Sequence, residues 1–227
     1  MRPQWSDEKF REAHEKDSWT TWFGVSFEEN GEKLLRNCDC FEQLMFEWEP
    51  PKRADLCPSI VSFVGETGAG KSSIIALLIK ILEQDTVLEV PVVGLSKHGQ
   101  RPTSGDVHLY LDPVSITGSH PILYADCEGM NGGNREPTSR SVFSRNGKEN
   151  LPTKAIRYMK KLVWGPEVMS QADREFIVLN LYSRILYTFS DVVVFVLTNT
   201  SQETPLPVLI LLSMALTSLV ERLNPLS

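Results

Sequence analysis

The most constraining feature of the sequence is the stretch from Ser59 to Gln84, where an apolar run, a glycine-rich turn and a helix-like run follow one another. The run "SIVSFVG" is β-branched and short, which is typical of a buried strand. The run "KSSIIALLIKILEQ" is apolar on most sides and predicts a helix packed inside the domain. The turn between them, "GETGAGKS", fits the pattern G-x-x-x-x-G-K-[ST], and its position between strand and helix is the context in which that pattern binds phosphate.

The chemistry of a polyphosphate explains these residue types. Glycines let the backbone turn tightly and approach the phosphates with its N–H groups. The helix that follows adds unpaired N–H groups and the positive end of its dipole. We expect Lys71 to contact the β- and γ-phosphates and the Ser72 hydroxyl to bind Mg²⁺. The predicted cradle consists of Gly65, Glu66, Thr67, Gly68, Ala69, Gly70, Lys71, Ser72 and Ser73. The alternative is a glycine turn without a ligand.

Two further segments carry groups that suit a bound triphosphate. The strand "ILYADCEGM" ends in a D-x-x-G pattern, in which Asp126 would hold Mg²⁺ through water and the Gly129 N–H would contact the γ-phosphate. Thr103 precedes the strand "DVHLYLD" in a layout that resembles that of GTPases, and this resemblance implies that its hydroxyl and carbonyl meet Mg²⁺ and the γ-phosphate. Thr103 as a plain turn residue and Ser104 in its place remain open. The predicted metal ligands are Ser72, Thr103 and Asp126.

Charge and hydropathy limit the partners and the location. A formal net charge of −6 gives no electrostatic footprint for nucleic acid, so none is expected as a partner. The N-terminal "MRPQWSDEKFREAHEKD" lacks the apolar centre of a signal peptide. The apolar stretch from Pro207 to Val220 is shorter than the ~20 residues of a membrane span and predicts a buried helix. We therefore expect a cytoplasmic protein without a transmembrane segment.

The cysteines fit that location. Cys38, Cys40 and Cys57 lack the C-x2-C spacing that is usual in zinc sites. Reduced thiols are therefore favoured over a metal site.

The sequence predicts an extension followed by one α/β domain. Residues 1–56 are acidic and read as a partly helical extension, and residues 57–227 as the domain. In the domain, "DVHLYLD" and "PILYAD" should form an antiparallel hairpin, "QADREFIVLNLYSRILYTFS" an amphipathic helix with a stripe of Phe176, Leu179, Ile185 and Phe189, and "DVVVFVLTN" a strand. Alternating strands and helices predict a three-layer α/β fold of the P-loop NTPase type, with a mainly parallel sheet and one antiparallel strand.

The ordered set GETGAGKS, T-S-G before a strand, and DCEG resembles the GTPase domain of the dynamin and guanylate-binding superfamily of large GTPases. The phosphate loop is also similar to those of septins and immunity-associated GTPases. The resemblance covers about residues 59–199. It implies Mg²⁺-dependent binding of GTP and hydrolysis to GDP and phosphate, with Lys71, Thr103 and Gly129 as the catalytic residues. It also implies switch regions, which leaves self-association or protein partners open.

Two departures from these families concern hydrolysis. Met130 stands where small Ras-like GTPases have a glutamine that orients water, and Gly68 where guanylate-binding proteins have an arginine. The basic segment after Met130 offers Arg135 as the nearest substitute, although a solvated basic loop explains that segment as well. A non-catalytic nucleotide-binding module therefore stays open beside the GTPase, and an ATP-binding P-loop protein is the third alternative.

A third departure concerns the base. No strand ending in N-K-x-D or T-x-x-D follows "DVVVFVLTN", and the run from Thr198 to Ser201 contains neither lysine nor aspartate. Guanine specificity accordingly depends on the resemblance alone. We expect a domain that lacks the last strands of a complete GTPase, with an apolar sheet edge at "DVVVFVLTN". A fragment, a truncated gene product and a degenerate relative all remain open.

Overall fold

The structure is a computed structural model that describes residues 20–46, 57–82, 88–93, 105–118, 120–130, 156–163 and 173–197. In chain order the elements are β1 (Thr21–Phe27), β2 (Lys33–Cys38), α1 (Cys40–Phe46), β3 (Ser59–Gly65), α2 (Lys71–Leu82), β4 (Asp106–Leu111), a 3₁₀ turn (Ser115–Thr117), β5 (Ile122–Asp126), β6 (Ile156–Lys161), α3 (Arg174–Phe176), a π-helical segment (Ile177–Tyr182), α4 (Ser183–Phe189) and β7 (Val192–Val196).

The strands form a 7-stranded mixed sheet in the order β6-β2-β1-β4-β5-β3-β7. Only β5, β3 and β7 run parallel to one another. The other neighbours are antiparallel, including the β4–β5 hairpin, which the sequence predicts correctly. The expected three-layer P-loop fold with a mainly parallel sheet is therefore wrong. The described chain has mostly antiparallel neighbours and few helices.

The antiparallel half comes from segments that the sequence analysis assigned elsewhere. β1 and β2, which lie in the expected extension, form a hairpin closed by a bond from the Glu28 N–H to the Glu32 carbonyl (2.8 Å). A connection this short permits only antiparallel pairing. β6 lies in the basic segment and pairs with the outer side of β2, with Leu35 opposite Lys160. These strands belong to the same sheet as β3, so residues 20–46 are structurally continuous with the region after residue 56.

The core lies on both faces of the sheet. Under α2, Phe63 and Tyr124 pack with Ile75 and Ile79 of the helix. On the opposite face, Leu109, Ala125 and other strand residues pack against the helical run from α3 to α4. The buried side chains of that run are Ile177, Val178, Tyr182 and Leu186. Of the stripe predicted at Phe176, Leu179, Ile185 and Phe189, the residues Leu179 and Ile185 are half-buried against this core, whereas Phe189 is exposed.

The sequence predicts an apolar sheet edge at β7 and no membrane-spanning helix. Among the described residues β7 is an outer strand, and its Val192 is 50% exposed. No helix in the described part of the chain is long and apolar enough to cross a membrane. The apolar stretch 207–220, expected to be a buried helix, lies outside the described residues.

Candidate phosphate-binding site

The glycine loop leaves the sheet at the carboxyl end of β3 with the backbone conformations that its sequence predicts. Gly68 and Gly70 have φ values of 79° and 99°, which only glycine adopts readily. Gly65 has a φ of 153°, and a Cβ there would lie 2.0 Å from the Val196 carbonyl oxygen of β7. The loop is therefore shaped by its glycines and packed directly against the neighbouring strand.

α2 begins at Lys71, directly after the loop, and runs for 12 residues. The first N–H groups of a helix have no acceptor within it, so they face the region in front of α2 with the positive end of the dipole. Ser72 is half-buried and Ser73 is exposed in this first turn. Loop and helix together offer main-chain donors to an anion.

Lys71 contributes a buried positive charge to the described part of the site. Its side chain is only 6% exposed, and its ammonium group donates to the carbonyls of Gly65 (3.1 Å) and Glu66 (2.8 Å). Burial lowers the pKa of Lys71, and the nearby Asp126 carboxylate opposes that shift. The amine is thus desolvated and held across the loop, where an additional anion would stabilise its charge.

The segment after β5 lies alongside the glycine loop. Asp126 ends β5 opposite Phe63 of β3, and its side chain is 4% exposed. The Met130 N–H donates to the Gly65 carbonyl (3.1 Å), and the Thr67 N–H donates to the Met130 carbonyl (2.9 Å). These bonds continue the parallel pairing of β3 and β5 into the two loops. The structure thereby brings the predicted D-x-x-G segment into contact with the predicted cradle.

Gly129 makes the closest approach between the two loops. A Cβ at this position would lie 2.4 Å from both the Cα and the Oγ1 atoms of Thr67. The Thr67 hydroxyl is buried and has no hydrogen-bond partner among the described residues. Gly129 is therefore required for packing against the phosphate loop, whether or not its N–H contacts a phosphate.

Met130 and Cys127 belong to the core. Met130 is 1% exposed and packs within the cluster on the face opposite α2. Cys127 is 2% exposed, and burial raises the pKa of its thiol well above the ordinary value. Neither side chain is placed to act on a ligand at the loop.

A metal ion at this site would depend on few protein ligands. Within the described ranges, no group of three or more His, Cys, Asp or Glu side chains is arranged to hold a metal. Mg²⁺ bound to a nucleotide needs only one or two protein oxygens, since phosphates and waters supply the rest. Ser72, in the first turn after the loop, and Asp126, beside Lys71, fit that requirement by chemistry. Thr103, its alternative Ser104, and Arg135 lie outside the described residues, so their predicted roles stay predictions.

A buried ion pair that was not predicted from the sequence lies next to the site. Arg174, at the start of α3, donates from Nε (3.0 Å) and Nη2 (2.6 Å) to Oε2 of Glu128. The two side chains are 4% and 1% exposed. Glu128 lies inside the D-x-x-G segment, but its partner is 46 residues away in sequence, and a single sequence contains no signal for that pairing.

Comparison with protein-family models, with curated proteins and with solved structures gives no match for this chain. The resemblance to large GTPases therefore depends on the motifs alone.

Proposed function

We propose that the chain binds the triphosphate tail of a nucleotide together with Mg²⁺ at residues 65–73, and that the nucleotide is GTP. The observation that carries this proposal is the buried Lys71 ammonium group, held across a glycine loop at the start of a helix with Asp126 beside it. Burial of an ammonium group is costly, and a phosphate is an anion that this combination of donors suits.

Several of the predicted residues would have roles that fit their positions. The first-turn N–H groups of α2 and the turn at Gly68 and Gly70 would surround the phosphates. Lys71 would exchange its carbonyl acceptors for phosphate oxygens. Ser72 and Asp126 would hold the metal ion, which neutralises phosphate charge when bound. The choice of GTP, and the cytoplasmic location, depend on the motif resemblance and on the expected absence of targeting segments.

Hydrolysis of GTP to GDP and phosphate is part of the proposal, with Lys71, Thr103 and Gly129 positioned around the γ-phosphate. A specific observation favours a second candidate, a nucleotide-binding module without turnover. Met130 is 1% exposed in the core, so the position of the water-orienting glutamine of small GTPases supplies no polar group to the site.

Competition binding of labelled nucleotide by the full chain tests the proposal. GTP should displace the label in a Mg²⁺-dependent way, and ATP should compete more weakly. Lys71→Ala should weaken binding about 100-fold or more, because charge-assisted hydrogen bonds of about 1.5–3 kcal/mol each are lost. Lys80→Ala, an exposed position on the same helix, is the matched control.

Three results would count against parts of the proposal. Equal binding by wild type and Lys71→Ala would overturn the site. Preferential binding of ATP would overturn the choice of nucleotide. A wild-type protein that binds GTP but releases no phosphate would establish the second candidate.

A further inference from the structure

A buried polar cluster joins the segment after β5 to β1 and to the helical run beginning at α3. Besides the Glu128 carboxylate, Arg174 contacts the Val25 carbonyl through Nη1 (2.9 Å). The Val25 N–H donates to the Tyr182 hydroxyl (2.8 Å). That hydroxyl in turn donates to the Gly105 carbonyl (3.4 Å). We call these four residues with Gly105 the Arg174 cluster.

The cluster replaces strand pairing at a particular point. The register of β1 with β4 ends at Gly24, opposite Asp106. At the next residue, Val25, the main-chain N–H donates to the Tyr182 hydroxyl and the carbonyl accepts from Arg174, so both groups are bonded to side chains of the helical run. The helical run is thereby attached to β1 by directional bonds as well as by apolar packing.

A requirement for stability alone does not explain an ion pair in this place. Removing two charges from water is costly, and apolar residues of similar size often stabilise a core as well or better. The guanidinium fork, however, fixes the carboxylate in direction as well as distance. The choice of Arg and Glu therefore indicates that the pair serves to orient the Glu128 segment rather than to raise the net stability of the fold.

Glu128 lies where such positioning matters for a ligand. It directly precedes Gly129, which packs on Thr67 of the phosphate loop. At the other end of the cluster, Gly105 precedes β4 and follows the segment that contains Thr103. One helical run, Arg174 to Tyr182, thus contacts Glu128 in the D-x-x-G segment and Gly105 directly before β4.

We propose that Arg174 is a positioning residue that holds Gly129 against the phosphate loop and couples triphosphate binding to the helical run from α3 to α4. The coupling rests on the proposed function, whereas the positioning of Gly129 does not. When Arg174 can no longer orient Glu128, the segment Cys127 to Met130 loosens. The site then distinguishes a triphosphate from a diphosphate less well.

The chain supplies a matched control in a second Arg–Glu pair of the sheet. Arg36 of β2 donates to Glu28 (2.6 Å) and to the Ser26 hydroxyl (2.7 Å), and its side chain is 7% exposed. β2 is separated from β5 by β1 and β4. Loss of this pair should lower stability without affecting the phosphate loop.

The first measurement compares affinities for a non-hydrolysable GTP analogue and for GDP in Arg174→Gln, Arg174→Lys and Arg36→Gln. For Arg174→Gln we expect the preference for the triphosphate to fall about tenfold, which is the size of a typical coupling between sites. Arg174→Lys keeps the charge but loses the two-pronged guanidinium geometry, so it should retain part of the preference for the triphosphate. Arg36→Gln should keep the wild-type preference for the triphosphate over GDP, even if its stability is lowered.

The second measurement needs no nucleotide and uses Arg174→Lys and Arg36→Lys, the milder changes. Amide hydrogen exchange at Thr67 and Met130 reports the two bonds that join the loops. Exchange at both should accelerate about tenfold in Arg174→Lys and stay unchanged in Arg36→Lys.

The outcomes separate the two proposals. Unchanged exchange in Arg174→Lys, or a preserved triphosphate preference in Arg174→Gln, would refute the role of Arg174 while nucleotide binding stands. If the wild-type chain binds no nucleotide, the proposed function and the coupling both fail. Accelerated exchange in Arg174→Lys would then still support the positioning of Gly129.

Discussion

At the residue scale, Gly129 is the position at which packing and ligand chemistry are hardest to separate. Its absent side chain allows the segment after β5 to approach Thr67, and the atoms that a Cβ would meet include the Thr67 Cα at 2.4 Å. Backbone atoms cannot rotate away as the end of a side chain can. The phosphate loop must therefore move if this position gains even one methyl group.

We expect Gly129→Ala to lower the free energy of unfolding by about 1–3 kcal/mol, the usual cost of overpacking, and to weaken nucleotide binding. Denaturant unfolding and a binding titration measure the two effects. Gly118→Ala is the control, since its nearest contact would be 3.4 Å away at an exposed turn. Wild-type stability and affinity in Gly129→Ala would contradict the loop contact.

Because the amine of Lys71 is buried, we expect folding stability and phosphate affinity to change in opposite directions as pH rises. Burial lowers the pKa of Lys71 in the folded chain, so the unfolded chain binds more protons between the lowered value and the ordinary lysine value. In that window Lys71 makes folding more favourable as pH rises. Phosphate binding needs the charged amine and should weaken over the same window.

Calorimetric titrations at several alkaline pH values, in buffers of different ionisation enthalpy, measure this linkage. We expect proton uptake on nucleotide binding above the lowered pKa, and none in Lys71→Met. Nucleotide affinity that stays constant up to the ordinary lysine pKa would mean that Lys71 does not contact the phosphates.

At the element scale, a π-helical segment interrupts the helical run between α3 and α4. It places Tyr182 at the end of the extra-wide turn, where the hydroxyl reaches both Val25 and Gly105. The predicted amphipathic stripe assumed the 3.6-residue period of an uninterrupted α-helix, and the sequence pattern gives no signal for the wider turn.

Tyr182→Phe should lower the free energy of unfolding by about 1–3 kcal/mol, because two buried main-chain groups lose a partner without a change in shape. Tyr187→Phe, a half-buried tyrosine of α4, should cost much less. Equal effects of the two changes in denaturant unfolding would show that the Tyr182 hydroxyl bonds contribute nothing.

Several elements could be predicted from local pattern, and others could not. β3, the loop, α2 and the β4–β5 hairpin have strong local signals, namely β-branched runs, glycines and alternation. β2 gives a poor strand signal because Lys33 and Arg36 are buried in it. Burial of the Arg36 charge is offset by its hydrogen bonds to Ser26 and Glu28 across the hairpin. The sequence of β2 alone does not indicate these partners.

At the scale of the whole molecule, the candidate site lies at the parallel strands β5, β3 and β7. The antiparallel strands pair with these through β4, which lies beside β5. The sequence locates the glycine loop and the D-x-x-G segment, which the structure brings together. It does not predict strand order, because order depends on pairings between distant segments such as β1 with β4. The predicted fold class was wrong for that reason, whereas the backbone conformations of Gly68 and Gly70 follow from local chemistry.

The central claim is that the main-chain amides of the loop and the start of α2 form the seat of a triphosphate. Nitrogen-15 NMR of the full chain, titrated with Mg²⁺ and GTP, tests it most directly. The account predicts saturable shifts of the Gly68, Gly70 and Ser72 amides, and none at Gly31 and Gly118, which lie in turns elsewhere. Loop amides that do not respond to millimolar nucleotide would contradict it.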